Sequence, residues 1–471
     1  MKSWASQFSA VGIEMPAVAD EKATPPIRMK PRRRLVIFVA LAAGASVWCG
    51  WKCWEDRRYR SAMAEIAKEI EAGRYGLAAR NLGTLNEWKP GSDEGAYLLG
   101  ACEKARNRTD AAFQAWARVP PGSPFSTRAI QGRMDLHLER GRLADAEQLI
   151  DEVLEDPRVD RFPPSLALGS VYNMEGRVEE AERLIEACWD DLDKKGEGAS
   201  EKGVRLVRLH IDHATNTASV DTTRTFLEQA ARSAPDDDRV WLGRANLAIR
   251  AGTYDEAARW LDACLRRRPD DVPVWRARLN WAMAVGRVDQ ARTALKHLPA
   301  AESTPAEVQK LAAWFGSRRG DVDSERRALE RLMVEAPADF TALERLIELT
   351  AKCGQIKRAA ELRNEKTRIE RLTARYQKLH KRYQPSRDAA EMARLAEQLG
   401  RWFEAKVYLT VAASEGPDRV DHRSDRARLT RRARNTDQPG RALAGLLDLD
   451  VDSDMNSSNA SPVKREFDDG G

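Results

Sequence analysis

His210 and His213 stand three residues apart with Asp212 between them, and on a helix they would share one face, as two ligands of a metal ion do. A metal site needs a third ligand, and none is in view, so metal binding is not expected. The chain has no G-x-x-x-x-G-K-[ST] to cradle a phosphate, no G-x-S-x-G nucleophile turn, no H-E-x-x-H and no dinucleotide fingerprint. Its six cysteines, Cys49, Cys53, Cys102, Cys188, Cys264 and Cys353, include no C-x-x-C pair, which argues against a zinc site or a disulfide framework. No catalytic residue and no cofactor is expected. A different pair of residue types does repeat: Arg244 with Asn246 in "GRANLAIRAG" and Arg278 with Asn280 in "RARLNWAMAVG", at a spacing of 34. A carboxamide carries one acceptor and two donors, so stacked copies could bond the backbone of an extended peptide whatever its sequence. His210 with Asp212 fills the same two slots one repeat earlier. The plainer reading is that the Asn residues lie on a solvated face and that Arg244 and Arg278 pair with nearby carboxylates.

The elements that would carry these residues show themselves by repetition. "EGRVEEAERLI" at 175–185, "AGTYDEAARWL" at 251–261 and "VGRVDQARTAL" at 285–295 are near copies, each with a glycine five residues before an alanine. With that glycine as the mark, the series is Gly73, Asn107, Gly141, Gly176, Ala218, Gly252, Gly286, Gly320, Gly354 and Gly400. Its intervals are 34, 34, 35, 42, 34, 34, 34, 34 and 46. Five past the mark stand Ala78, Ala112, Ala146, Ala181, Ala257, Ala291, Ala359 and Ala405; the copies with Thr223 and Glu325 are degenerate. Nine past come Leu82, Trp116, Ile150, Ile185, Leu227, Leu261, Leu295, Leu329 and Leu409, a buried face that Arg363 interrupts. Seventeen past come Pro90, Pro124, Pro235, Pro269 and Pro337, which cannot continue a helix. Each unit therefore reads as helix, turn, helix, stop, and the fold class as all-α.

The phase shared by these ten copies resembles the tetratricopeptide repeat family, whose unit is a 34-residue helical hairpin. Trp241 and Trp275 before their glycines, Leu99-Gly100 and Leu168-Gly169 in first helices, Tyr172 before Gly176, and small Ala230, Cys188, Cys264 and Ala412 in second helices carry the resemblance over residues 59–419. It implies a solenoid of about ten hairpins with a concave inner wall, and it places Asn246 and Asn280 in that groove, with Arg244 and Arg278 beside them. Trp241 and Trp275 are expected to pack between hairpins rather than line it. Alanine suits the point where two antiparallel helices come closest, glycine the positive φ at the turn, and a lone hairpin needs neighbours to bury its stripe. The interval of 42 contains "DDLDKKGEGASEKG", which reads as a lengthened loop, with a kink of the solenoid there. The interval of 46 contains "RNEKTRIERLTARYQKLHKRYQ", a basic stretch that lengthens one helix and presents a solvated face.

Before the repeats, Leu35 to Trp51 runs seventeen residues without a charge, close to the ~17 that a short spanning helix needs. Arg32, Arg33 and Arg34 abut its start and Trp48, Trp51 and Trp54 cluster at its end, where indoles prefer the headgroup layer. A single transmembrane helix over 35–54 is expected, leaving residues 1–34 as a disordered basic segment and 434–471 as a disordered tail that holds "ALAGLLDLDVD". Five basic residues before the run against four after it lean towards a repeat region outside the cytoplasm. Cleavage after Ala45 would instead release a soluble exported chaperone or assembly factor.

The 78 basic and 73 acidic residues leave a formal charge of +5, too balanced for nucleic acid to be the expected partner, although related hairpin arrays do bind RNA. The functional expectation is a non-enzymatic membrane-anchored scaffold that binds a protein or peptide partner in its groove.

Overall fold

A computed structural model describes residues 31–156, 159–215, 219–299 and 303–415; for 31–45, 213–215, 386 and 415 it describes the backbone alone. Every regular element among them is a helix: α1 (Pro31–Glu71), α2 (Tyr75–Trp88), α3 (Asp93–Ala105), α4 (Thr109–Ala117), α5 (Ser126–Glu139), α6 (Leu143–Glu155), α7 (Phe162–Met174), α8 (Val178–Lys194), α9 (Glu201–Thr215) and α10 (Val220–Ser233). There follow α11 (Asp238–Ala251), α12 (Tyr254–Arg267), α13 (Val272–Val285), α14 (Val288–Lys296), α15 (Pro305–Arg319), α16 (Val322–Glu335), α17 (Phe340–Lys352), α18 (Ile356–Arg382), α19 (Pro385–Gln398) and α20 (Trp402–Glu415). Two compact units divide between Asn81 and Leu82.

The repeat register is the turn register. Nine of the ten marks adopt φ between 60° and 76°, Asn107 standing in for glycine as the other residue type that tolerates a left-handed turn. Ala78, Ala112, Ala146, Ala181, Ala257, Ala291, Ala359 and Ala405 are all 0% exposed, so each sits where two helices touch. In α18 the buried place passes from Arg363 to its neighbour Leu362, and the basic insertion lengthens that helix to 27 residues as its pattern predicts. Asp237, Asp271 and Asp339, at multiples of the repeat, accept backbone N–H groups at the starts of α11, α13 and α17.

In the first unit, α1 does not stop at Trp54, where the expected transmembrane helix ends, but continues to Glu71. Ile66 in its last turns and Ala78 of α2 are buried, and Asn81 donates two hydrogen bonds to the buried carboxylate of Glu69 at 2.9 and 3.1 Å. Among the described residues no helix is long and apolar enough to cross a membrane. Most of the apolar run, residues 35–45, lies outside the described side chains, and so do the basic segment up to residue 30 and the tail from 416.

In the second unit consecutive helices pair as hairpins, α3 with α4, α7 with α8, and α11 with α12 through α19 with α20. One copy departs from this. Among the described residues α9 and α10, which flank the degenerate mark, do not pair closely: α9 packs on α8 and α20, while α10 packs on α11. The supposed long loop "DDLDKKGEGASEKG" is mostly helical, since α8 runs to Lys194 and α9 starts at Glu201. What changes at the interval of 42 is therefore not loop length but the destination of α9. Leu143, Val171, Leu227, Ala230, Val240 and Leu247 form a core that joins α10 and α11 directly to α6 and α7. Trp189, Leu206, Val207 and Ile211 of α8 and α9 share a core with Ala396, Ala405, Tyr408 and Val411 of α19 and α20.

Candidate functional site

The four residues singled out by their spacing sit on α11 and α13, which pack against each other, but their side chains have unlike surroundings. Arg244 lies over the Trp260 ring, 4.9 Å from its centroid. Arg278 lies over Trp281 at 4.4 Å, with Nη1 3.1 Å from Asp262 Oδ1. A guanidinium on an indole face is attracted by the ring quadrupole and held flat. Asn280 is exposed, whereas Asn246 is half-buried and its Nδ2 donates to the carbonyl of Glu175 at 2.8 Å. The two Asn residues are thus not equivalent rungs of a ladder, for one amide is committed to the α7–α8 turn. The prolines and tryptophans of these repeats form a staple: Trp241 Nε1 donates to Pro235 O at 2.9 Å and Trp275 Nε1 to Pro269 O at 2.7 Å. Trp275 also stacks on His297, ring centroids 3.9 Å apart and planes 2° from parallel.

His210 and Asp212 of the preceding slots go elsewhere. His210 is wedged between α8 and α20, 3.6 Å from Glu186 and 3.4 Å from Glu404, and Asp212 meets His380 of α18 at 2.9 Å. Burial would lower the His210 pKa, but hydrogen bonds to Glu186 and Glu404 outweigh it and raise it to about 9. Glu404, itself 2% exposed, is held below the usual carboxylate range: burial opposes this, and the His210 bond and the nearby Arg401 prevail. The side chain of His213 lies outside those described. Among the described residues no group of three His, Cys, Asp or Glu side chains is placed to hold a metal ion.

Two features were not foreseen from the sequence. A buried ionic network joins Glu147 of α6, Glu175 and Arg177 at the α7–α8 turn, and Arg239 of α11: Arg177 reaches Glu147 at 2.7 Å and Glu175 at 2.8 Å, and Arg239 bonds Glu147 and, at 2.9 Å, Asp271. Glu175 is 0% exposed, and burial pushes its carboxyl well above the usual range despite Arg177. Beside this network opens a cleft of about 630 Å³ between α6 and the α10–α11 connection, lined by eight carboxylates and four arginines. At its floor Asp237 accepts from Arg239 N and Val240 N with one oxygen and from Ala144 N with the other, so a single carboxylate serves the starts of α11 and α6. The lining residues lie some ninety positions apart in the chain, so the spacing of the repeats does not bring them to notice.

With this geometry in place, comparison gives the family. Residues 220–279, which contain α10, α11, α12 and most of α13, match the tetratricopeptide repeat family. Residues 220–279 of this chain carry the tetratricopeptide repeat. No curated protein matches its sequence. Solved structures similar to it include Pseudomonas aeruginosa pilF, at 16% identity over 47% of this chain and 97% of that chain with a TM-score of 0.27. A tetratricopeptide repeat protein from Parabacteroides merdae shares 14% identity over 62% of this chain and 98% of that one, TM-score 0.25. Yeast Tom70 shares 12% over 84% and 100%, TM-score 0.24. At these TM-scores the likenesses carry no argument about what this tetratricopeptide-repeat chain does.

Proposed function

We propose that this tetratricopeptide-repeat chain is a membrane-tethered scaffold, without catalytic activity, that holds an extended segment of a partner protein against α11 and α13. The observation that carries this reading is the placement of Arg244 on Trp260 of the next helix, α12, and of Arg278 on Trp281 of its own helix, beside the exposed carboxamide of Asn280. Guanidinium groups held flat on indoles lose little entropy when they donate to a carboxylate or a carbonyl, and the exposed amide offers both a donor and an acceptor to a peptide backbone. Asn246 supports this surface from beneath rather than touching the partner.

The tether is α1. Val47, Trp48, Trp51 and Trp54 are 73%, 64%, 63% and 52% exposed, and indoles three residues apart on one helix after an apolar run suit a membrane interface. The repeats lie outside the cytoplasm in this reading.

A photoreactive residue placed at Asn280 in cells tests the groove, with Arg259, exposed on α12, as the control position. A partner crosslinked at 280 and lost with Arg244→Ala supports the reading; crosslinks at 259 alone refute it.

A further inference from the structure

α18 carries ten lysines and arginines against three glutamates, a balance of +7 on one helix of a chain whose whole formal charge is +5. Its carboxylates are already engaged: Glu361 with Arg358 at 2.9 Å, Glu365 with Arg368 at 2.6 Å and Glu370 with Lys366 at 3.8 Å. From α19, Glu391 takes Arg375 at 2.7 Å and Asp388 takes Arg382. That leaves Arg363, Arg371, Lys378 and Lys381, which are exposed and meet no carboxylate among the described residues. These cations share one side of the helix. Arg363, Thr367, Arg371, Ala374, Lys378 and Lys381 follow the 3.6-residue turn, all exposed, opposite the buried Ile369 and Tyr376. At 1.5 Å per residue the stripe is about 27 Å long.

The chemistry of the stripe selects its occupant. Along it the described residues offer no aromatic ring on which a nucleic-acid base could stack, and one large apolar side chain, Ile356, where a helix lying in a membrane surface needs several. An acidic polypeptide suits it better, and the chain contains one. Between Arg441 and Lys464 there is no cation, and Asp448, Asp450, Asp452 and Asp454 alternate with Leu449, Val451 and Ser453. Alternate side chains of an extended chain face one way, which would set the four carboxylates in a row about 20 Å long, on the scale of the stripe. This segment lies outside the described residues. Asp448 follows Glu415, the end of α20, by 33 residues, a length that as a coil spans about 30 Å.

We propose that residues 446–454 dock along the outer face of α18 and pair their aspartates with its unpartnered cations. Each such pair is exposed, weak and screened by salt. Tethering compensates, because a segment on the same chain is held near the face at a high effective concentration. The segment is then an internal competitor that keeps other polyanions off α18. The contact does not depend on what α11 and α13 bind.

Carbodiimide coupling of the full chain, read by mass spectrometry, joins a lysine amine to a carboxylate in direct contact. A mixture of natural and heavy-nitrogen chains separates links within a chain from links between chains. At low salt, Lys378 or Lys381 is expected to link to Asp448, Asp450, Asp452 or Asp454 of the same chain, with a loss of roughly tenfold at high salt. In the variant Asp448→Asn, Asp450→Asn, Asp452→Asn, Asp454→Asn, acetylation of Lys378 and Lys381 should speed up roughly threefold as the competitor is lost, while that of exposed Lys195 stays constant. Links between chains alone, no link to the segment, or equal acetylation in the native chain and the variant would overturn the proposal. If phosphatidylglycerol vesicles or single-stranded RNA protect Lys378 and Lys381 as well in the native chain as in the variant, the face belongs to that ligand and the proposal fails.

Discussion

The side-chain amide of Asn246 donates to the main-chain carbonyl of Glu175 at 2.8 Å, across 71 residues of chain. It fastens α11 to the turn at Gly176, whose φ is +74° and where a Cβ would come within 2.9 Å of Asn246 Cβ. Loss of a partly buried hydrogen bond costs about 1 kcal/mol, so Asn246→Ala should lower the urea midpoint with an unchanged slope, while Asn280→Ala, at an exposed site, leaves it alone. Equal effects of the two substitutions would return Asn246 to the groove.

Gly176→Ala meets both the backbone and the close contact, and a left-handed alanine alone costs about 1–2 kcal/mol. Its destabilisation should therefore exceed that of Gly252→Ala, where the φ is +76° and the added methyl meets nothing within 4 Å. Thermal unfolding of the two variants side by side checks the order.

Glu325 occupies an alanine slot of the repeat at 4% exposure and is held by Arg345, Nε to Oε1 at 2.7 Å and Nη2 to Oε2 at 3.1 Å. Arg345→Ala leaves a buried carboxylate without its partner and should cost about 1–3 kcal/mol, a figure reduced from fully buried pairs because Arg345 is partly exposed. Adding Glu325→Ala restores the residue type of the other repeats and should recover most of the loss. A double variant no more stable than Arg345→Ala would mean that the arginine acts by packing alone.

The repeat register was legible in the sequence for a physical reason. A turn that needs positive φ and a helix crossing that tolerates only a methyl group leave little choice of residue, so Gly286 with Ala291 or Gly354 with Ala359 announce themselves locally. The destination of α9 could not be read that way. Its apolar residues show that it must bury a face, but its partners Tyr383, His380 and Glu404 lie some 170 to 200 residues further on, and a period of 42 says only that stacking is interrupted. The acidic cleft was hidden likewise, because its walls come from α6 and the α10–α11 connection. Asn246 and Asn280 share a sequence slot, yet α11 meets the α7–α8 turn and so gives Asn246 a backbone carbonyl to bond.

His210 gives the α9 contact a pH dependence. Its pKa is raised from an ordinary 6.5 to about 9, with Glu182, Glu186 and Glu404 facing it from α8 and α20. A raised folded-state pKa means stabilisation fully present below about 6.5 and lost as pH rises through about 9. The shift corresponds to stabilisation on the order of 3 kcal/mol. The difference in thermal midpoint between native protein and His210→Gln should therefore be largest near pH 6 and shrink towards pH 10. A constant difference would show that the imidazole fills space without carrying charge.

Photocrosslinking at residue 280 in living cells bears most directly on the scaffold reading. The account predicts a discrete partner band at 280, weakened at least tenfold by Arg244→Ala and absent with the photoreactive residue at 259. A band at 259 with none at 280, or one at 280 indifferent to Arg244, would contradict it and move recognition away from α11 and α13.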